Sequence, residues 1–326
     1  MSAPHVNVLP HDRWRVAEIG FWLLPVAAYF AFPDYLILGN QVLFTALFAL
    51  SLDLILGYAG ILSLGHAAFF GIGAYTAGLL AAHGWGEPLS GLLLACAAAG
   101  ICGLAASFLV VRGQDLTRLM VTLGMGLMMY EVVNQAAAIT GGVDGLSGVA
   151  MGKLFGMFEF DLNGKTAYWY SLAVLFLVFV FLRRLTASPF GLSLAGIREQ
   201  KGRMSAIGAD VSLRLMAAYT LGAAIAGIAG ALLAQTTQFV GIDSLGFPRS
   251  AELLVMLVLG GTGRLYGGLI GAAVFILLQD YLSGLNPVYW QFWIGALLVA
   301  VVMFAQGGIL GALERVRSFM KKRGRT

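Results

Sequence analysis

Charge is what this chain has least of. Only 11% of its 326 residues are Asp, Glu, Lys or Arg, and 59% are hydrophobic. Soluble domains carry about 25% charged residues, so these charges are too few to cover a water-facing surface, and one polytopic membrane domain is expected. Cysteine is almost missing: Cys96 and Cys102 lie in one apolar stretch, six positions apart. On a helix they face different sides, which argues against a disulfide or a thiolate metal site. Catalytic motifs are also lacking. There is no H-E-x-x-H and no G-x-S-x-G. Gly164-Lys165-Thr166 looks like the end of a phosphate loop, but the required first glycine is Glu159. Gly71-Ile72-Gly73 lacks the third glycine of a dinucleotide fingerprint. No catalytic residue, metal or cofactor is therefore expected on this chain. The net charge of +4 reflects the basic bias of cytoplasmic loops, not a nucleic-acid groove.

What is abundant is glycine, 44 residues placed mostly inside apolar stretches. There it lets helices approach closely. Runs of about 20 apolar residues mark spans. They fall near 16–33, 38–57, 66–82, 89–111, 118–139, 167–182, 213–234, 250–262, 266–283 and 288–306. The expectation is an all-α protein with about 8–10 spans in a domain over 16–310. A cytoplasmic segment, 1–15, precedes it and a basic cytoplasmic tail, 311–326, follows. Arg13 and Arg15 before the apolar Ile19–Ala31 resemble a signal peptide, but the similar runs that follow favour a retained first span. The 250–262 run is short enough to be a half-helix. With the N-terminus inside, 17 of the 20 Lys and Arg fall on the cytoplasmic side, and Lys153, Lys165 and Arg249 fall outside. That asymmetry predicts both termini cytoplasmic.

The loop 183–214 carries Leu194, Ile197, Met204 and Ile207 at helical spacing, with Arg198, Glu199, Gln200, Lys201 and Arg203 on other faces. Glu199 and Arg203 are an i,i+4 acid–base pair, and Gly208 is placed to end the helix. Periodicity alone leaves two readings open: a helix on the lipid surface, and a coupling helix docked to a cytoplasmic partner. Two glycine-rich interruptions, Leu56–Gly65 and Leu259–Gly268, share the pattern L-G-x-x-G-x-L-x-x-G. Paired interruptions of this kind point to a translocation path, or else to helix packing. Gly260, Gly261 and Gly263 are path candidates on that ground. Ser63, His66, Glu131 and Gln135 join them because polar groups inside a bilayer are costly and often functional. Asn134 lies with Glu131 and Gln135 in the outer half of the fifth span, and Asp53, Glu252 and Asp280 lie near span ends. Each of these polar groups could equally serve helix–helix hydrogen bonding.

The stretch Gly57–Tyr75, Gly-Tyr-Ala-Gly-Ile-Leu-Ser-Leu-Gly-His-Ala-Ala-Phe-Phe-Gly-Ile-Gly-Ala-Tyr, closely resembles the signature of the branched-chain amino acid ABC permeases, the LivM-like family. Four further blocks fit in order: Val111-Arg112-Gly113 with Val121-Thr122-Leu123; Ser188–Gly191 through Gly196–Glu199 to Gly208; Ala226–Leu233; and Gly260–Gly268. The resemblance implies an importer permease in the bacterial-type inner membrane, driven by other chains. The implied partners are a second, LivH-like permease, two cytoplasmic ATPases holding ATP with Mg, a periplasmic or lipid-anchored binding protein, and membrane lipids. It gives Gly196, Arg198, Glu199, Arg203 and Gly208 the ATPase-coupling role. The chain departs from the family in carrying Arg203 and Met204 where small alanines are usual. The implied solutes are leucine, isoleucine and valine, with urea, amides and aromatic carboxylates served by similar permeases. A lone ion-coupled transporter and a membrane-embedded enzyme or structural subunit are the other readings of the span pattern.

Overall fold

The structure, a computed structural model, describes residues 16–113, 115–154, 156–161, 163–287, 289–304 and 308–311. The expected N-terminal segment 1–15, and the expected tail apart from residue 311, lie outside the described residues. The helices in chain order are α1 (Val16–Ala31), α2 (Leu36–Leu52), α3 (Ala67–Ala82), α4 (Pro88–Arg112), α5 (Asp115–Gln135), the single turn α6 (Ala137–Thr140), α7 (Lys165–Ala187), α8 (Pro189–Glu199), α9 (Lys201–Ala206), α10 (Val211–Thr237), α11 (Phe247–Gly260), α12 (Leu265–Leu285) and α13 (Trp290–Phe304). Among the described residues there is no strand, only isolated bridges such as Leu146 with Val240. Six helical stretches are long and apolar enough to cross a bilayer. That is the pattern of a multi-pass membrane protein.

Local chemistry sets several boundaries. Proline opens α4 and α8, where its missing N–H costs no helical bond. Asp210 caps α10 by accepting from the Leu213 N–H at 3.0 Å. Gly208, at φ +85°, ends the turn after α9. The loop expected to hold one amphipathic helix holds two. Gln200, with extended backbone, separates α8 from α9, so Glu199 and Arg203 sit on different helices. The stripe divides accordingly: Leu194 and Ile197 are buried, whereas Ile207 is exposed.

Helix α10 is the centre of the bundle and packs on α2, α3 and α4. Lipid supplies no hydrophobic drive between helices, so close backbone approach takes its place. A Cβ at Gly230 would collide with the Phe70 carbonyl, one at Gly73 with the Gly227 backbone, and one at Gly103 with Ala223.

Two of the helices on the expected runs are short for a bilayer. α3 has 16 residues and α11 has 14, about 24 and 21 Å at 1.5 Å per residue, against a hydrocarbon core of about 30 Å. Each is completed by non-helical chain. Leaving the π-helical end of α2 (Asp53–Tyr58), residues 59–66 turn back into the bundle, so that His66 meets Ser51 on α2. From there α3 runs to the far end. In the opposite sense, residues 238–246 descend beside α3, where Val240 and Leu245 abut Gly78 and Gly71. From there α11 runs to the near end. The two helix starts meet inside the protein, where the Ala67 N–H donates to Ser250 Oγ at 2.9 Å. The 250–262 run is thus a half-helix, and the 66–82 run is its counterpart.

Candidate functional site

At one end of the bundle the two glycine-rich interruptions lie side by side, with α8 packed on them. The Arg198 guanidinium donates through Nη1 to the Gly57 carbonyl. Asp53, fully buried in the π-helical turn, accepts the Gly263 N–H at 2.7 Å. Arg198 and Asp53 also attract each other across this junction. Gly60 and Gly263 have left-handed backbones, at φ +69° and +76°, and a Cβ on either would lie within about 3 Å of the Arg198 side chain, at 3.0 and 2.8 Å. Glycine is needed here for both conformation and close approach. One side chain of the loop helix therefore touches both sequence repeats, and through them both half-helices.

Above this junction lies a buried polar cluster. His66 Nε2 is 2.8 Å from Ser51 Oγ, and its ring stacks on Phe48 with centroids 5.7 Å apart. His66 Nδ1 has no hydrogen-bond partner among the described residues, and Ser63 is fully buried nearby in the chain.

At the opposite end a cavity of about 510 Å³ opens between α2, α7 and α10, lined by Asn40, Gln41, Phe44, Asp161, Leu233, Thr237, Gln238 and Arg249 among others. A second, of about 340 Å³, shares Leu233, Thr237 and Arg249 with it and adds Asp243 and Ser244. Arg249 pairs with Glu252 at 3.2 Å and lies 5.8 Å from the centre of the Phe70 ring.

The residues singled out from sequence fall in four places. Arg198, Gly260, Gly261 and Gly263 are in or beside the junction, and Gly196 lets Met204 of α9 pack on α8. Glu199, Arg203 and Gly208 are on the exposed face of the same loop. Ser63 and His66 are in the core. Glu131 and Gln135 share a 2.6 Å hydrogen bond on the exposed face of α5, apart from the other path candidates. Sequence reading undervalued two residues. Asp53 was legible as a carboxylate in a 26-residue apolar stretch, but its partner is a main-chain N–H. Arg249 reads as an outer-loop base, because counting charges does not tell where a guanidinium points.

A family model described as branched-chain amino acid transport system / permease component matches residues 35–302. The LivM permease of the high-affinity branched-chain amino acid transport system of Salmonella typhimurium is 28% identical over 300 residues, 84% of this chain and 69% of the relative. Its Escherichia coli K12 counterpart is 28% identical over 288 residues, 80% of this chain and 66% of the relative. The chain thus spans about two thirds of the length of these relatives. The LivH permease of the same Escherichia coli system is 25% identical over 293 residues, 82% of this chain and 92% of the relative. No solved structure matches.

Proposed function

The chain belongs to the branched-chain amino acid transport permease family, a family of transport components and not of enzymes, and from that premise we propose that it is a permease subunit of an ABC importer for branched-chain amino acids. The junction end faces the cytoplasm, as the basic residues argue, and both termini lie on that side of the inner membrane. Two partner ATPases, holding ATP with Mg, dock on the 183–214 loop. Its exposed surface suits them: it carries Glu199 and Arg203 together with the exposed apolar Leu192, Ile207 and Leu213. A homologous, LivH-like permease completes the membrane path. Similarity to both LivM and LivH over some 80% of the chain agrees with two related halves. A solute-binding protein delivers to the opposite end.

The observation that carries this reading is the Arg198 junction. When the ATPases close, they move α8 as a lever. Arg198 holds the Gly57 carbonyl, and Asp53 holds the Gly263 N–H, so the displacement reaches the end of α2 and the α11–α12 turn together. The two half-helices hang from these points, and their movement opens and closes the path between them.

The test is uptake of labelled leucine into proteoliposomes holding the chain with its partner permease, ATPases and binding protein. Arg198→Gln is expected to leave assembly intact, abolish ATP-driven uptake, and leave ATP hydrolysis running uncoupled. Leucine uptake by this chain alone, driven by an ion gradient and indifferent to ATP, would overturn the proposal.

A further inference from the structure

We propose that the outer vestibule is itself a solute site, in which Arg249 anchors the carboxylate of a small zwitterion with an apolar side chain. This deepens the importer reading and rests on it. The two adjoining cavities, of about 510 and 340 Å³, fall within the range of small-molecule sites, roughly 300–1,000 Å³. The surface they share includes Arg249. A cation held inside a membrane protein is costly and marks a substrate route when it faces a water-filled cavity.

The guanidinium is fixed in place but not saturated. Glu252, at 3.2 Å from Nη1, holds one edge, and Phe70 lies beneath. Arginine carries five N–H donors in a planar fork matched to a carboxylate, and Glu252 engages one nitrogen. The remaining donors are free to meet a second carboxylate, and the ion pair keeps the fork oriented toward it. Arg249 also lies in the first turn of α11, where the helix dipole favours an anion.

The rest of the lining suits the rest of such a solute. Phe44 and Leu233 offer an apolar wall for an aliphatic side chain, and the exposed Asp161 faces the same space for an ammonium group. Gln238 is the non-glycine residue with left-handed backbone among the described residues, at φ 55°. It too lines this cavity.

The experiment uses a chain with Cys96 and Cys102 replaced by alanine and Thr237→Cys placed in the vestibule wall, assembled with its partner subunits without ATP. The rate at which a membrane-impermeant maleimide modifies residue 237 is measured against added leucine and against leucinamide, which lacks the carboxylate. Leucine is expected to slow modification and leucinamide not to. Arg249→Gln is expected to raise the leucine concentration needed about tenfold or more, in line with the loss of a charged hydrogen bond, and Arg249→Lys to raise it less. Equal protection by leucine and leucinamide, or undiminished protection by leucine in Arg249→Gln, would overturn the carboxylate contact. Absence of protection alongside intact ATP-driven leucine uptake by the unmodified complex would overturn the site while sparing the importer. Protection in a complex that shows no ATP-driven uptake would support the vestibule and sink the importer reading.

Discussion

Single glycines carry unusual weight in this molecule. A methyl group at Gly57 would fall on the Asp53 carboxylate and 2.6 Å from the Gly263 nitrogen, the two groups whose hydrogen bond closes the junction. The nitrogen is backbone, and the carboxylate is fully buried and held by that hydrogen bond, so neither can swing away. Gly57→Ala is therefore expected to lower stability by about 1–3 kcal/mol, as overpacking does, and to impair transport besides. Gly20 and Gly284 have nothing within 4 Å of the same added atom, so alanine there is expected to be neutral. Thermal unfolding of the three variants in detergent, followed by intrinsic fluorescence, separates these outcomes. Equal melting of Gly57→Ala and Gly20→Ala would show that the junction yields.

At the scale of elements, the two half-helices depend on one another. The Ala67 N–H opens α3 with no carbonyl of its own helix to meet, and Ser250 Oγ supplies the acceptor. Ser250→Ala leaves that buried donor orphaned, at an expected cost of about 1–3 kcal/mol, read as a lower melting temperature of the purified complex. Unchanged melting would mean that another acceptor takes over. This contact also marks the limit of what the sequence made legible. The spans were readable because apolar runs of bilayer length leave few alternatives, and the observed helices fall on the expected runs. The depth at which α3 and α11 begin was not readable. It depends on residues 183 positions apart and on extended chain that carries no helical period. The break at Gln200 was hidden for a different reason: Glu199 to Arg203 has good helical spacing, and the interruption comes from α9 folding against Gly196 through Met204.

At the scale of the whole molecule, the exposed face of α5 is the unfinished surface. Met120, Leu127, Met128 and Val132 are each more than half exposed, which suits lipid. Glu131 and Gln135 on the same helix do not. A carboxylate facing hydrocarbon costs about 2.5–3.5 kcal/mol near the bilayer centre, and the 2.6 Å bond from Gln135 offsets only part of that. The face fits a protein neighbour, and the second permease of the proposed importer is the candidate. Glu131→Leu is then expected to leave this chain inserted and folded while weakening its co-purification with that permease several-fold. Undiminished co-purification would assign α5 to the lipid boundary or the path instead of the subunit contact.

The re-entrant stretch 59–66 has one more consequence, for how the chain is made. A helix satisfies its own backbone as it leaves the ribosome, but this stretch relies on groups that come later. The Leu64 N–H is met by Thr122 Oγ1 on α5, and the helix start that follows is met by Ser250 on α11. Until synthesis has passed residue 250, the first third of the protein has no completed place to rest. Chains halted before α11 should therefore hold residues 59–66 open to protease at the membrane surface, and full-length chains should bury them. Completion of the amino-terminal third thus waits for a helix made in the carboxyl-terminal part of the chain.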